Sequence, residues 1–157
     1  MKKETENWLQ MVEYDIKTAE CMLETGRYVY VVFMCHLAIE KMLKAIVSEA
    51  KRRQEIKGIV KRYAGELKNL GIIPEKIMIY GSYAKGHPRE GSDIDLLIVS
   101  KDFKDKNLRE RLEILGLAAG RVFEPIEAMG YTEDEIVSKE EGSFLDNIFS
   151  EGVSVAL

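Results

Sequence analysis

The chain is short of cysteine, with only Cys21 and Cys35 in 157 residues, too few for the framework of a disulfide-stapled secreted fold. On the two arms of a helical hairpin turning near Gly26 they would also stand out of register, so a reducing, cytoplasmic setting is expected. No secretory leader is expected: MKKETENW puts acids and a Trp where a continuous apolar core is needed. No membrane span is expected either, because the most apolar run, Tyr28 to Cys35, is followed by His36, Glu40, Lys41 and Lys44. Basic charge is not in excess. With 23 Lys and Arg against 27 Asp and Glu the net charge is −4, so neither nucleic acid nor an anionic membrane is an expected partner. There is no internal repeat and no low-complexity segment.

Apolar residues make up 46% of the chain, ample for a core in one ordinary domain or in a small domain with an appendage. From Glu6 to Glu24 they recur at helical spacing (Trp8, Met11, Val12, Ile16, Ala19, Met22 and Leu23) until Gly26 stops the pattern. A second helix is expected from about Tyr28 to Glu49, with Val32, Cys35, Ile39, Met42, Leu43 and Ile46 on one face. The short connection makes the two an antiparallel hairpin. A third helical pattern runs from Lys51 to Leu70, before Gly71 and Pro74. The charged KRRQ cluster near Ser48 to Gln54 marks either a boundary or the middle of one long bent helix. The division expected is a hairpin over residues 1–50 and a second domain over 51–157.

Beyond Pro74 the period becomes that of strands: Lys76 to Tyr80, Ile94 to Val99 and Val122 to Met129, with a charged helix from Lys104 to about Ala119 before the last. Thr132 with Glu135, and Ser143 with Asp146, look like helix starts. Phe144, Leu145, Ile148 and Phe149 give the final helix an apolar face. The fold class expected is α/β or α+β, a mixed sheet of three to four strands with helices packed on it.

Asp93 and Asp95 sit one residue apart on a predicted strand, so both carboxylates leave the same face. Two acids aimed together repel, and divalent cations remove that penalty. An offset of ~6.6 Å brackets ions roughly 3.5 to 4 Å apart, and hard oxygen ligands favour Mg²⁺ or Mn²⁺. Upstream, Gly81 and Ser82 end a strand and offer backbone N–H groups and a hydroxyl to an anion, with Lys85 close by as a cation. A polyphosphate suits this set, but no Walker spacing is present.

Gly81-Ser82, ten residues, then Asp93-Ile94-Asp95 between apolar strands resembles the signature of the DNA polymerase β nucleotidyltransferase superfamily. The stretch "GSYAKGHPREGSDIDLLIV" is similar above all to the minimal nucleotidyltransferases of bacteria and archaea. The resemblance implies that Gly81, Ser82, Lys85 and Ser92 hold the phosphates of ATP or another NTP. It implies metal ions on Asp93 and Asp95 that activate an acceptor oxygen and stabilise the pyrophosphate leaving group. A third carboxylate is expected on the next strand, where Glu124 and Glu127 are available. Glu127 is favoured because it lies deeper in the apolar stretch and shares a face with Met129.

The segment "YVYVVFMCHLAIEKMLKAIV" resembles the helical hairpin of HEPN domains, which are encoded beside minimal nucleotidyltransferases in toxin–antitoxin pairs. The ribonuclease motif of those toxins, an Arg four to six residues before a His, is absent, since Arg27 precedes His36 by too much. The activity implied is transfer of NMP, AMP by analogy, to an acceptor hydroxyl such as a protein tyrosine. One rival is a small-molecule nucleotidyltransferase of the aminoglycoside kind, and the other a non-catalytic antitoxin-type module that binds a HEPN protein. The apolar stripes of the hairpin are expected to dock on a second copy of the chain, as a homodimer, or on a HEPN partner.

Other residues have plainer readings. His36, Tyr28, Tyr30 and the methionines at 11, 22, 34 and 42 read as packing residues. His87 reads as a solvated loop residue within reach of a nucleotide. The run Lys51, Arg52, Arg53, Lys57, Lys61 and Arg62 reads as a solvated helix face.

Overall fold

The computed structural model describes residues 3–86, 88 and 91–156. The chain divides into two compact units, residues 1–54 and 55–157, and a single helix contributes to both. Helix α1 (Lys3–Glu24) is followed by α2 (Tyr28–Asn69), so the KRRQ cluster does not break the helix. Lys, Arg and Gln are good helix formers, and the long-helix reading is the one that holds. No helix among the described residues is long and apolar enough to cross a membrane.

In the first unit α1 and α2 form a hairpin whose turn is closed at Gly26. There the Arg27 N–H donates to the Met22 carbonyl at 2.9 Å and the Gly26 N–H to that of Leu23 at 3.0 Å, the paired bonds that end many helices. The seam is built of small residues. Val12, Ala19, Ala38 and Ala45 are buried, and the buried Asp15 pairs with Lys41 across the hairpin. Thr5 donates to Glu49 at 3.1 Å, and Glu49 in turn pairs with Arg52 at 2.9 Å.

This seam corrects the expected one. Val32, Cys35, Ile39, Met42, Leu43 and Ile46 are exposed, Ile39 to 61%, as are Met11, Tyr28, Tyr30 and His36. Alanines a heptad apart let the helices approach, and the bulky apolar residues fall outside. Arg52, by contrast, is buried rather than solvated. Cys21 and Cys35 are exposed and unbridged.

The second unit is a four-stranded mixed sheet with helices on both faces, the α/β class expected. Strands β1 (Lys76–Ile79), β2 (Ile94–Val99), β3 (Ile126–Tyr131) and β4 (Val153–Val155) stand in the order β3-β2-β1-β4. β1 pairs antiparallel with β2 and with β4, while β2 and β3 are parallel. Between β1 and β2 lies the one-turn helix α3 (Gly81–Ala84), and between β2 and β3 lies α4 (Leu108–Val122). The helices α5 (Glu133–Val137) and α6 (Phe144–Glu151) precede β4.

Strand alternation sorts the two faces. Ile77, Ile79, Leu96 and Ile98 pack beneath the later part of α2 (Val60, Tyr63, Leu67), Leu115 and Ala118 of α4, and Phe103. Met78, Leu97 and Val99 point the other way, against Ile136 of α5 and Ile148 of α6.

The caps read from sequence are present: Thr132 and Ser143 accept from the Glu135 and Asp146 amides. Asn107, with Glu110, caps α4 in the same way. The boundaries around α4 and β3 differ most from expectation. α4 runs to Val122 and ends at Phe123 in the left-handed region (φ 57°), so β3 starts four residues later than expected. Phe123 and Pro125 supply the stop. β4 is too short for its alternation to be read.

Gly130 of β3 lies flat against the buried Phe103 ring, where a Cβ would stand 2.7 Å from Cζ and 2.8 Å from Cε2. A ring enclosed on all sides cannot yield cheaply, so Gly130→Ala is expected to lose about 1–3 kcal/mol of stability by urea unfolding. An unchanged midpoint would show that the Phe103 pocket is looser than described.

Candidate active site

The site forms where β1 ends and β2 and β3 begin. β1 stops at Ile79, and the chain turns at once through Gly81, whose φ is 66°. A side chain there is barred twice, by that backbone and by space. A Cβ would collide with Oδ2 of Asp95 and stand 2.9 Å from its Cγ. The Tyr80 N–H donates to the Asp95 carbonyl at 3.0 Å, which ties the turn to β2. Asp95 therefore lies directly against the glycine of the Gly-Ser pair.

Ser82 is half-buried in α3, and Tyr80, the N-cap residue, makes no side-chain bond to the first amides of that turn. Lys85 closes the turn, is exposed, and pairs with Glu151 of α6 at 3.1 Å. Ser92 is half-buried, and its carbonyl accepts from the Tyr83 hydroxyl at 3.3 Å. His87 lies outside the described residues.

Asp95 and Glu127 are register partners in the parallel β2–β3 ladder. Glu124 sits ahead of β3 and pairs with Arg62 at 2.9 Å. The backbone thus brings Glu127, and not Glu124, beside Asp95. Asp93 is not on the strand as expected. Pairing begins at Ile94, whose N–H donates to the Pro125 carbonyl at 2.7 Å, and Asp93 lies exposed one residue ahead. The pleat therefore aims Asp95 alone, and Asp93 approaches it from the preceding turn.

These acids act on one another. Burial, then Glu127, then Asp93 push the Asp95 carboxyl above its ordinary pKa. The Tyr80 phenol is pushed up to about 12 by burial and then by Asp95, Glu127 and Tyr131. A divalent cation between these oxygens would reverse the repulsion that penalises ionised Asp95. Among the described residues no three Asp, Glu, His or Cys side chains converge as placed into a metal cluster.

A cleft of about 540 Å³ opens beside these groups, lined by Gly81, Lys85 and Asp95 on one side and by Phe144, Asn147 and Glu151 of α6 on the other. Sequence reading missed Tyr80 and the polar side of α6. The Ser143 cap marks that helix in the sequence, but its apolar stripe gives no sign that Asn147 and Glu151 face a cleft.

The raised proton affinity of Asp95 has a consequence for stability. An acid that holds its proton more tightly when folded destabilises the fold once ionised, and the penalty fades as pH falls through the folded pKa towards the unfolded one. Metal-free Asp95→Asn is thus expected to melt above the parent at neutral pH, with the gap closing under acid. A variant that melts lower at neutral pH would show that ionised Asp95 stabilises the fold.

A family profile for the nucleotidyltransferase domain matches residues 60–142, and one for the HEPN domain matches residues 5–91. The first spans Gly81, Ser82, Asp93, Asp95 and Glu127. Among solved structures, a candidate nucleotidyltransferase from Sulfolobus solfataricus is 24% identical, with a TM-score of 0.44 over 69% of this chain and 83% of that one. No curated protein matches the chain.

Proposed function

We propose that this chain, which belongs to the nucleotidyltransferase domain family and to the HEPN domain family, transfers a nucleoside monophosphate, AMP by analogy, from an NTP to an acceptor hydroxyl. The observation that carries the reading is the contact of Gly81 with Asp95, which brings the start of α3, without a side-chain cap, against the carboxylate that Glu127 pairs in register. Amides and a hydroxyl suit phosphate oxygens, and the carboxylates suit a cation.

Gly81 and Ser82 would hold the outer phosphates, with Lys85 neutralising their charge and Ser92 nearby. Asp93, Asp95 and Glu127 would hold Mg²⁺ or Mn²⁺, which when bound supplies charge stabilisation at the attacking and leaving oxygens. The acceptor oxygen bonds to the α-phosphorus, and the bond from that phosphorus to the bridging oxygen breaks. Pyrophosphate departs, and the hydroxyl proton passes to a carboxylate of the group. A protein tyrosine, as in a toxin–antitoxin pair, is the acceptor that the HEPN match favours.

The test is pyrophosphate release with Mg²⁺ and each NTP, together with mass spectrometry of proteins captured from lysate for a nucleotidyl adduct. Paired Asp93→Asn and Asp95→Asn substitutions are expected to abolish release. Ser82→Ala is expected to slow it roughly tenfold or more, by loss of a hydrogen bond to a charged group, with the melting temperature nearly unchanged. Full activity in the paired variant would remove both acids from the site, and a parent that releases no pyrophosphate would defeat the reading in favour of a non-catalytic binding module.

The hairpin favours a second, separate reading. Its outward face carries Val29, Val32, Ile39, Leu43 and Ile46, all exposed, an apolar stripe of the kind that marks contact surfaces. A second copy of the chain is the proposed occupant, because two-fold self-association buries the same stripe on both copies at once. Light scattering is expected to give a dimer that Leu43→Glu splits. A monomeric parent would point to a HEPN partner instead.

A further inference from the structure

The cleft has a wall that the nucleotidyltransferase profile does not reach. That match ends at residue 142, and α6 begins at Phe144. The helix is seated by Gly152, where a Cβ would collide with the Ile148 carbonyl and stand 3.2 Å from that of Ile79. The C-terminal end of α6 therefore rests on the last residue of β1, beside the turn that holds Gly81 and Ser82. With Ile148 buried beneath it, the helix presents Phe144, Asn147 and Glu151, at spacings of three and four, to the cleft.

Each of the three brings a different chemistry. Glu151 holds Lys85. The Phe144 ring is braced edge-on by Tyr80, with centroids 5.7 Å apart and planes at 87°, yet remains 56% exposed. Asn147 uses its backbone within the helix, where its N–H bonds Ser143 and its carbonyl accepts from the Ser150 hydroxyl. Its carboxamide has no hydrogen bond among the described residues. An aromatic surface beside an amide, across a cleft from a phosphate-type turn, matches the parts of a nucleotide in order: base at α6, phosphates at α3.

Resting on the transfer reading above, we propose that α6 is the base-selecting wall of the site and that Asn147 reads adenine packed against Phe144. An amide offers one donor beside one acceptor, the complement of the amino group and ring nitrogen that adenine presents side by side. Guanine offers two acceptors on its N7 edge, which leaves the amide oxygen unmatched, while on its other edge O6 and N1–H satisfy the amide and the 2-amino group is left without a partner. Adenine is then favoured by hydrogen bonding, and Phe144 supplies the apolar surface for the ring.

The experiment is calorimetry on the full chain with Mg²⁺, comparing ATP, GTP and inorganic triphosphate, the last being a probe without a base. The parent is expected to bind ATP about tenfold more tightly than GTP, the discrimination that one or two neutral hydrogen bonds give. Asn147→Ala, an exposed helical position where Ala is well tolerated, should bring the two within about twofold and leave triphosphate binding unchanged. Asn147→Asp should tilt the ratio towards GTP, whose ring and amino N–H groups suit an acceptor-only carboxylate. A parent indifferent to base, or a preference that survives Asn147→Ala, overturns the inference and leaves the transfer reading standing. If neither nucleotide nor triphosphate binds, the transfer reading falls and this one with it.

Discussion

The close approach of Gly81 to Asp95 is the constraint on which the second unit's site depends. A Cβ at position 81 would stand inside the Asp95 carboxylate, so the chain leaves β1 through the one residue type that can turn there with positive φ and no side chain. From that contact follow the position of Ser82, the uncapped start of α3 and the openness of the cleft. The parallel β2–β3 ladder then fixes the partner of Asp95: register alone sets Glu127 beside it. Among the described residues neither acid is held in a salt bridge.

The sheet tolerates this charge because its two faces differ. Beneath α2 and α4 the strands bury isoleucine and leucine without interruption, with Leu96, Ile98 and Ile77 fully enclosed. On the other face, apolar packing against α5 and α6 reaches Tyr80, which meets Phe144 edge-on, and leaves Asp95 and Glu127 outside it at the strand ends. The penalty on ionised Asp95 is confined to the rim of a well-packed layer, the usual place for a fold to carry functional strain. The return of α6 and β4 to β1 closes the rim into a cleft and brings Phe144, Asn147 and Glu151 to it.

Local chemistry was legible in the sequence, and non-local pairing was not. Gly81-Ser82 and the Asp93-Ile94-Asp95 pair could be read because a turn residue and two closely spaced acids at the start of an apolar strand each state a need within a few residues, although only Asp95 lies on the strand. The caps at Thr132 and Ser143 were legible for the same reason. The hairpin seam was misread because periodicity weights bulky residues, while the observed contact runs through Ala38 and Ala45, whose small size is the point. β3 was started too early because Phe123, an unusual residue for a left-handed helix end, gives no stop signal. Glu127 is favoured over Glu124 by its depth in the apolar run, but the register that sets it beside Asp95 is a property of the strand pair, which no single strand encodes.

The most direct measurement is paramagnetic line broadening by Mn²⁺ in the amide spectrum of the full chain, recorded with a non-hydrolysable NTP. Nucleotide and ion at the Gly81–Asp95 contact should first broaden the amides of Gly81, Ser82, Asp93, Asp95 and Glu127, leaving the acidic segment 133–141 sharp. Broadening that begins in that segment, with Gly81 and Asp95 unaffected, would contradict the account.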